Sequence, residues 1–121
     1  PGGRRALVVG AGAAGYTFVR EMCEHPQLGL VPVAFVDDDP TKQQRRLHNV
    51  PIVGTLADIP AVVARLAVNE VVIAMPAASG ATVRRVLRAA AEAGVPTRTV
   101  PGLFEILSGR KSVSALRSVE I

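Results

Sequence analysis

The segment Gly10-Ala11-Gly12-Ala13-Ala14-Gly15 constrains this chain most, because it joins an unbroken apolar run, residues 6–9, to a stretch with helical periodicity. A short apolar run of this kind suits a buried strand. Beyond the glycines, Ala14, Phe18, Val19, Met22 and Cys23 fall on one helical face, and Arg20, Glu21 and Glu24 on another. Pro26 ends that helix, since the residue before a proline avoids helical geometry. Each glycine in such a turn has its own steric task. Gly10 lets the chain turn sharply out of the strand, Gly12 keeps the backbone open to a pyrophosphate, and Gly15 lets helix and strand pack closely. The free N–H groups and dipole at the helix start then favour an anion. The whole turn, Gly10, Ala11, Gly12, Ala13, Ala14 and Gly15, is the first candidate for binding a nucleotide phosphate.

The rest of the chain repeats the alternation. Residues 31–36, 51–54, 70–75 and 95–100 read as further strands, with Pro32 at the very start of the second because it cannot donate to a ladder. Ile59, Val62, Val63 and Leu66 recur at helical spacing behind a capping pair, Thr55 and Asp58. Val83, Val86, Leu87 and Ala90 mark a helix over 80–93, which Gly94 closes. Residues 41–49 read as a loop or short helix, and 103–107 as a short helix closed by Gly109. Strands separated by crossover helices predict an α/β, Rossmann-like doubly wound parallel sheet of about five strands, in the order 3-2-1-4-5, with helices on both faces. Residues 1–121 make a single nucleotide-binding domain, with a core at about 5–109 and an exit segment at 110–121.

Composition agrees with that fold. Hydrophobic residues are 49% of the chain but aromatic ones only 3%, so Val, Ala, Leu and Ile must fill a sheet buried on both faces. The net charge of +4 raises the question of nucleic acid, but the basic residues are scattered and no aromatic platform lies among them. Pairs such as Arg45-Arg46 and Arg84-Arg85 read as solvated faces, and no nucleic-acid partner is expected. The single Cys23 excludes an internal disulfide and reads as a buried thiol, which suits a reducing, cytoplasmic setting. His25 and His48 are isolated, so no metal site is expected. The longest apolar candidate, residues 71–78, is broken by Pro76 and is far too short to span a membrane.

Two further groups of residues are placed by the fold. Asp37 closes the second strand, where a carboxylate can accept hydrogen bonds from both hydroxyls of an adenosine ribose and repel a 2′-phosphate. That favours NAD over NADP. Asp38 is the alternative for the same role, and a solvated turn ending in Asp39-Pro40 is the rival account of all these acids. The loop Met75-Pro76-Ala77-Ala78-Ser79-Gly80 follows the strand expected beside the first, so it should face the glycine turn across a ligand. Met75, Pro76 and Ser79 are its candidate contacts, although Ser79 reads first as a cap of the next helix. No catalytic set stands out: the only tyrosine is Tyr16, and it has Arg20 four residues on in place of the lysine of a Tyr-x-x-x-Lys pair.

With these residues in view, the chain resembles the nucleotide-binding, CoA-binding-like domain of CapD-type polysaccharide biosynthesis proteins. The segments that carry the resemblance are Val8-Val9-Gly10-Ala11-Gly12, Phe35-Val36-Asp37-Asp38-Asp39-Pro40, Val50-Pro51-Ile52-Val53-Gly54-Thr55, Val71-Val72-Ile73-Ala74-Met75-Pro76 and Thr99-Val100-Pro101-Gly102-Leu103. The end, through Leu107-Ser108-Gly109 and Leu116-Arg117-Ser118-Val119-Glu120-Ile121, resembles that family's exit from the domain.

The resemblance implies a longer, membrane-associated parent at the cytoplasmic face of the bacterial inner membrane, with membrane helices before this domain. A downstream catalytic domain of the same polypeptide would be an NAD-dependent nucleotide-sugar 4,6-dehydratase or epimerase. No position here matches the family's catalytic motif. NAD, coenzyme A and a UDP-sugar all stay open as the ligand of this domain, as does a homo-oligomer. Two rival functions also stand: an NAD-dependent sugar-nucleotide dehydrogenase in its own right, and a structural coupling module with an empty pocket.

Overall fold

A computed structural model describes residues 3–100 and 117–118. In chain order the elements are β1 (Arg4–Val9), α1 (Ala13–Glu24), β2 (Leu30–Val36), β3 (Arg46–Leu47), β4 (Val50–Pro51), α2 (Ile59–Leu66), β5 (Glu70–Ile73), α3 (Gly80–Glu92), β6 (Thr97–Thr99) and β7 (Arg117–Ser118). The helix expected at 103–107 and most of the exit segment lie outside the described residues.

Four parallel strands run in the order β2-β1-β5-β6, and β7 pairs antiparallel with β6. Side chains alternate across β1. Ala6 and Val8 face α1, where Phe18, Val19 and Met22 pack with Phe35 and Val72. Leu7 and Val9 face the opposite side, where Ile59, Val62 and Val63 of α2 and Val86 and Ala90 of α3 complete a second core. The sheet is therefore covered on both faces, as the apolar runs require.

The third expected strand lies beside β2, where the order 3-2-1-4-5 puts it, but is much reduced. Its pairing consists of a parallel bridge, Phe35 to Ile52, with the Val53 N–H donating to the Phe35 carbonyl at 2.9 Å and the Asp37 N–H to the Gly54 carbonyl at 3.0 Å. Pro51 has no N–H, and the Ile52 N–H donates at 2.8 Å to the Arg45 carbonyl instead. Residues 46–51 form the β3–β4 hairpin, turning through His48 and Asn49 at φ 49° and 63°.

Pro32 sits inside β2 rather than at its start. The register with β1 slips between Ala6 and Leu7, so that Pro32 and Val33 together stand opposite one step of β1, a bulge that admits the proline. Cys23 is exposed rather than buried: in the last turn of α1 Met22 takes the buried position against the sheet, and Cys23 follows it on a side open to solvent. Its thiol pKa is raised, first by partial burial and then by Glu24, which disfavours the nucleophilic thiolate.

At the end of the sheet where β5 begins, Glu70 is buried at 1% exposure between two arginines. Arg4 Nε donates to its Oε1 at 2.6 Å, and Arg98 Nε lies 3.1 Å from Oε2. One carboxylate thus links β1, β5 and β6. Among the described residues no helix is long and apolar enough to cross a membrane.

Candidate functional site

Strand order reverses at β1: the chain leaves β1 for β2 on one side and later returns to β5 on the other. The turns after β1 and β5 diverge there, and a cleft of about 310 Å³ opens between them at the carboxyl ends of the strands. Gly10, Gly12, Ala13 and Ala14 line one wall, residues 74–78 the other, and Asp37 and Lys42 stand at its rim.

The three glycines differ as their tasks require. Gly10 has φ +108°, and a Cβ there would strike the Met75 side chain and lie 2.9 Å from the Ala74 carbonyl oxygen. At Gly15 a Cβ would run into the Gly10 carbonyl oxygen and come within 3.1 Å of the Phe35 ring. Gly12 is the opposite case: the nearest atom to a Cβ there is Lys42 Nζ, at 4.0 Å. Nothing in the folded chain requires glycine at that position, so the free space above it is available to a ligand. Gly12 is also the N-cap of α1 and provides no side-chain cap, which leaves the first N–H groups of the helix available.

The three consecutive aspartates are divided among three tasks. Asp37 turns toward the cleft. Its Oδ2 accepts the Ala11 N–H at 2.8 Å, its Oδ1 accepts the Asp39 N–H at 2.9 Å, and Lys42 Nζ lies 3.8 Å from Oδ2. Asp38 is outside the cleft lining, since successive residues leaving a strand point to opposite sides. It accepts the Leu56 N–H at 2.9 Å and an Arg85 Nη1 bond at 2.8 Å, tying the end of β2 to α3. The Leu56 hydrogen bond, then Arg85, holds its carboxyl below the usual carboxylate range. Asp39 accepts the Thr41 N–H and hydroxyl, at 2.9 and 2.7 Å, and so caps a single 3-10 turn, Pro40–Lys42.

The remaining expected residues also have definite places. Ala11 is buried with its N–H committed to Asp37. Met75 and Pro76 line the cleft, joined by Ala77 and Ala78. Ser79 lies at the N-terminus of α3, where its Oγ accepts the Thr82 N–H at 3.1 Å. Thr55 and Asp58 form the expected capping box. Two contributors escaped the sequence reading. Lys42 reaches the rim from a polar segment, and Gln43 Nε2 donates to the Asp37 carbonyl at 2.6 Å, bracing the acidic turn. The Asp-Pro step at 39–40, which starts a tight turn, was the available signal for a chain folding back. Among the described residues no group of His, Cys, Asp and Glu could hold a metal ion.

Comparison with known proteins gives this arrangement its context. A family model described as a CoA-binding domain matches residues 2–101. The probable polysaccharide biosynthesis protein EpsC of Bacillus subtilis (strain 168) is 30% identical over 116 residues, 96% of this chain and 19% of that protein. The capsular polysaccharide biosynthesis protein CapD of Staphylococcus aureus is 32% identical over 119 residues, 98% of this chain and 20% of that protein. The chain thus spans about a fifth of the length of these relatives. Among solved structures, the UDP-D-quinovosamine 4-dehydrogenase from Vibrio fischeri superposes with a TM-score of 0.83 at 24% identity, covering 98% of this chain and 95% of that one. RSP, a Rex-family repressor, in complex with β-NADH superposes with a TM-score of 0.63 at 16% identity, covering 84% and 47%. Those two likenesses carry the fold, which is Rossmann-like.

Proposed function

The chain belongs to the CoA-binding domain family whose model it matches over residues 2–101, and from that membership we propose that it is the nucleotide-binding domain of a longer nucleotide-sugar dehydratase or epimerase of polysaccharide biosynthesis. The observation that carries the ligand half of this reading is the free space over Gly12 at the uncapped start of α1. A diphosphate suits that space, because it gains helix N–H donors and the positive end of the dipole. The polysaccharide half rests on what EpsC and CapD are named for.

NAD is the first ligand of the reading. Gly12, Ala13 and Ala14 would hold its diphosphate, and Asp37 its adenosine ribose, where both carboxylate oxygens keep a lone pair beyond the backbone bonds they accept. When bound, NAD supplies hydride transfer. Residues of the chain bind and orient it, and the sugar chemistry belongs to the rest of the parent polypeptide. Coenzyme A is the second reading, favoured by the description of the family. It shares the adenosine diphosphate portion, so the glycine wall would serve its diphosphate, while its ribose 3′-phosphate would have to lie away from Asp37. The parent acts at the cytoplasmic face of the membrane in this reading.

The deciding experiment is a thermal-shift and calorimetric series with NAD, NADP, coenzyme A, UDP and UDP-sugars. A ligand of the folded state stabilises it by about 2.7 kcal/mol at a hundred times its dissociation constant. NAD should raise the melting temperature most, and the chain alone should turn over no UDP-sugar. A melting temperature that no nucleotide moves would sink the reading in favour of a structural coupling module.

A further inference from the structure

Lys42 arrives at the cleft independently of the glycine turn. Asp39 caps the Pro40–Lys42 turn, Pro40 fixes its first step, and the chain doubles back so that Lys42 stands at the rim. Asp37 and Lys42 are the charged residues among those lining the cleft. At 3.8 Å they are too far apart for a hydrogen bond. Both Asp37 oxygens already accept backbone N–H groups, whereas Lys42 Nζ makes no hydrogen bond among the described residues. The same Nζ is the nearest atom to a Cβ built on Gly12, at 4.0 Å. The space over Gly12 is therefore bordered both by the helix N–H donors and by an ammonium.

We propose that Lys42 is the specificity-determining cation of the cleft, closing on the diphosphate of an adenosine nucleotide held at the start of α1. This rests on the nucleotide-binding reading above and adds what selects the ligand. An ammonium on a flexible stem is a movable point charge with three donors. It can leave its loose pairing with Asp37 for a phosphate oxygen, freeing Asp37 for the ribose. NAD and coenzyme A both carry an adenosine diphosphate portion, so Lys42 acts on either. The cleft accordingly ranks its ligands by phosphate count, with ADP above AMP and AMP above adenosine.

The test is calorimetric titration of ADP, AMP and adenosine into wild type, Lys42→Met, Lys42→Arg and Gly12→Val, at low and high salt. Lys42→Met should weaken ADP about tenfold, as expected for one charged hydrogen bond lost. Adenosine affinity should stay the same, and the salt dependence of ADP binding should shrink. Lys42→Arg should keep most of the ADP affinity. Unchanged ADP binding by Lys42→Met, while Gly12→Val loses it, overturns this inference and leaves the nucleotide-binding reading standing. Equal losses for ADP and adenosine also overturn it, since they mark a change of cleft shape rather than a lost charge. Binding of none of the three by wild type overturns both.

Discussion

Asp37 reaches back from the end of β2 to Ala11, its Oδ2 accepting the Ala11 backbone N–H at 2.8 Å. The carboxylate at the cleft rim is therefore also the brace of the glycine turn. Asp37→Asn removes the charge while its amide oxygen can still brace Ala11, at the cost of the Asp39 N–H bond, which the NH2 group cannot accept. The variant should fold with unchanged circular dichroism. It should bind NAD about tenfold more weakly, the cost of weakened charged hydrogen bonds to the ribose, and discriminate less against NADP. Parallel titrations of both cofactors check this, and an NADP affinity equal to that for NAD in wild type would remove Asp37 from the ribose.

Gly12 and Gly15 should fail in opposite ways. A side chain at Gly12 meets open space, so Gly12→Val should melt close to wild type and lose nucleotide binding. A methyl at Gly15 collides with the Gly10 carbonyl, so even Gly15→Ala should destabilise the domain, by about 1–3 kcal/mol as for other overpacked cores. Urea melts beside nucleotide titrations separate the two, and equal stability loss at both sites would make the whole turn structural.

Asp38 gives the fold a pH dependence of known sign. Its carboxyl is held below the ordinary value by the Leu56 N–H and then by Arg85. A group with a depressed folded pKa stabilises above its unfolded pKa and loses that contribution as pH falls through the folded one. Wild type should therefore exceed Asp38→Asn in stability by about 1 kcal/mol at pH 7, a figure kept small because the pair is half exposed. The difference should vanish at pH values below the ordinary carboxylate range. Urea denaturation at pH 7 and under acid conditions measures it, and a constant difference would assign the effect to something other than charge.

How much of this was legible follows from the range of the forces involved. The glycine turn, the alternation of strand and helix, the Thr55–Asp58 box and the Ser79 cap are set by neighbours along the chain. The turn residues Met75 and Pro76 came to the cleft because sheet topology leaves one place for them. Lys42 did not show, because a basic residue in a polar segment looks the same whether it faces water or folds back over a cleft. The hairpin was hidden because His48-Asn49 lacks the glycine that usually marks such a turn. The choice between Asp37 and Asp38 depended on which residue of the strand end takes the cleft side, and a one-residue error in the strand boundary reverses it.

Glu70 heads the strand expected over residues 70–75, and the structure makes it a clamp on three strands. Glu70→Gln should cost about 1.5–3 kcal/mol, the range for hydrogen bonds to charged groups, with nucleotide affinity unchanged because the cleft lies at the other end of the sheet. Urea melts and an ADP titration check both halves. A stability loss within error would mean that water screens the two half-exposed arginines well enough to replace the carboxylate.

The bulge at Pro32 has a consequence for how copies of this domain meet one another. Through residues 30–34, β2 forms the outer rim of the sheet among the described residues, and Val31 is exposed there. A straight apolar rim of unpaired amides is a template on which another chain can add itself as a strand, the first step toward aggregates. Pro32 offers such a chain no N–H, and the slipped register bends the rim out of line. An irregularity that looks like a flaw in β2 thus makes this rim a poorer template for an added strand than a regular one would be.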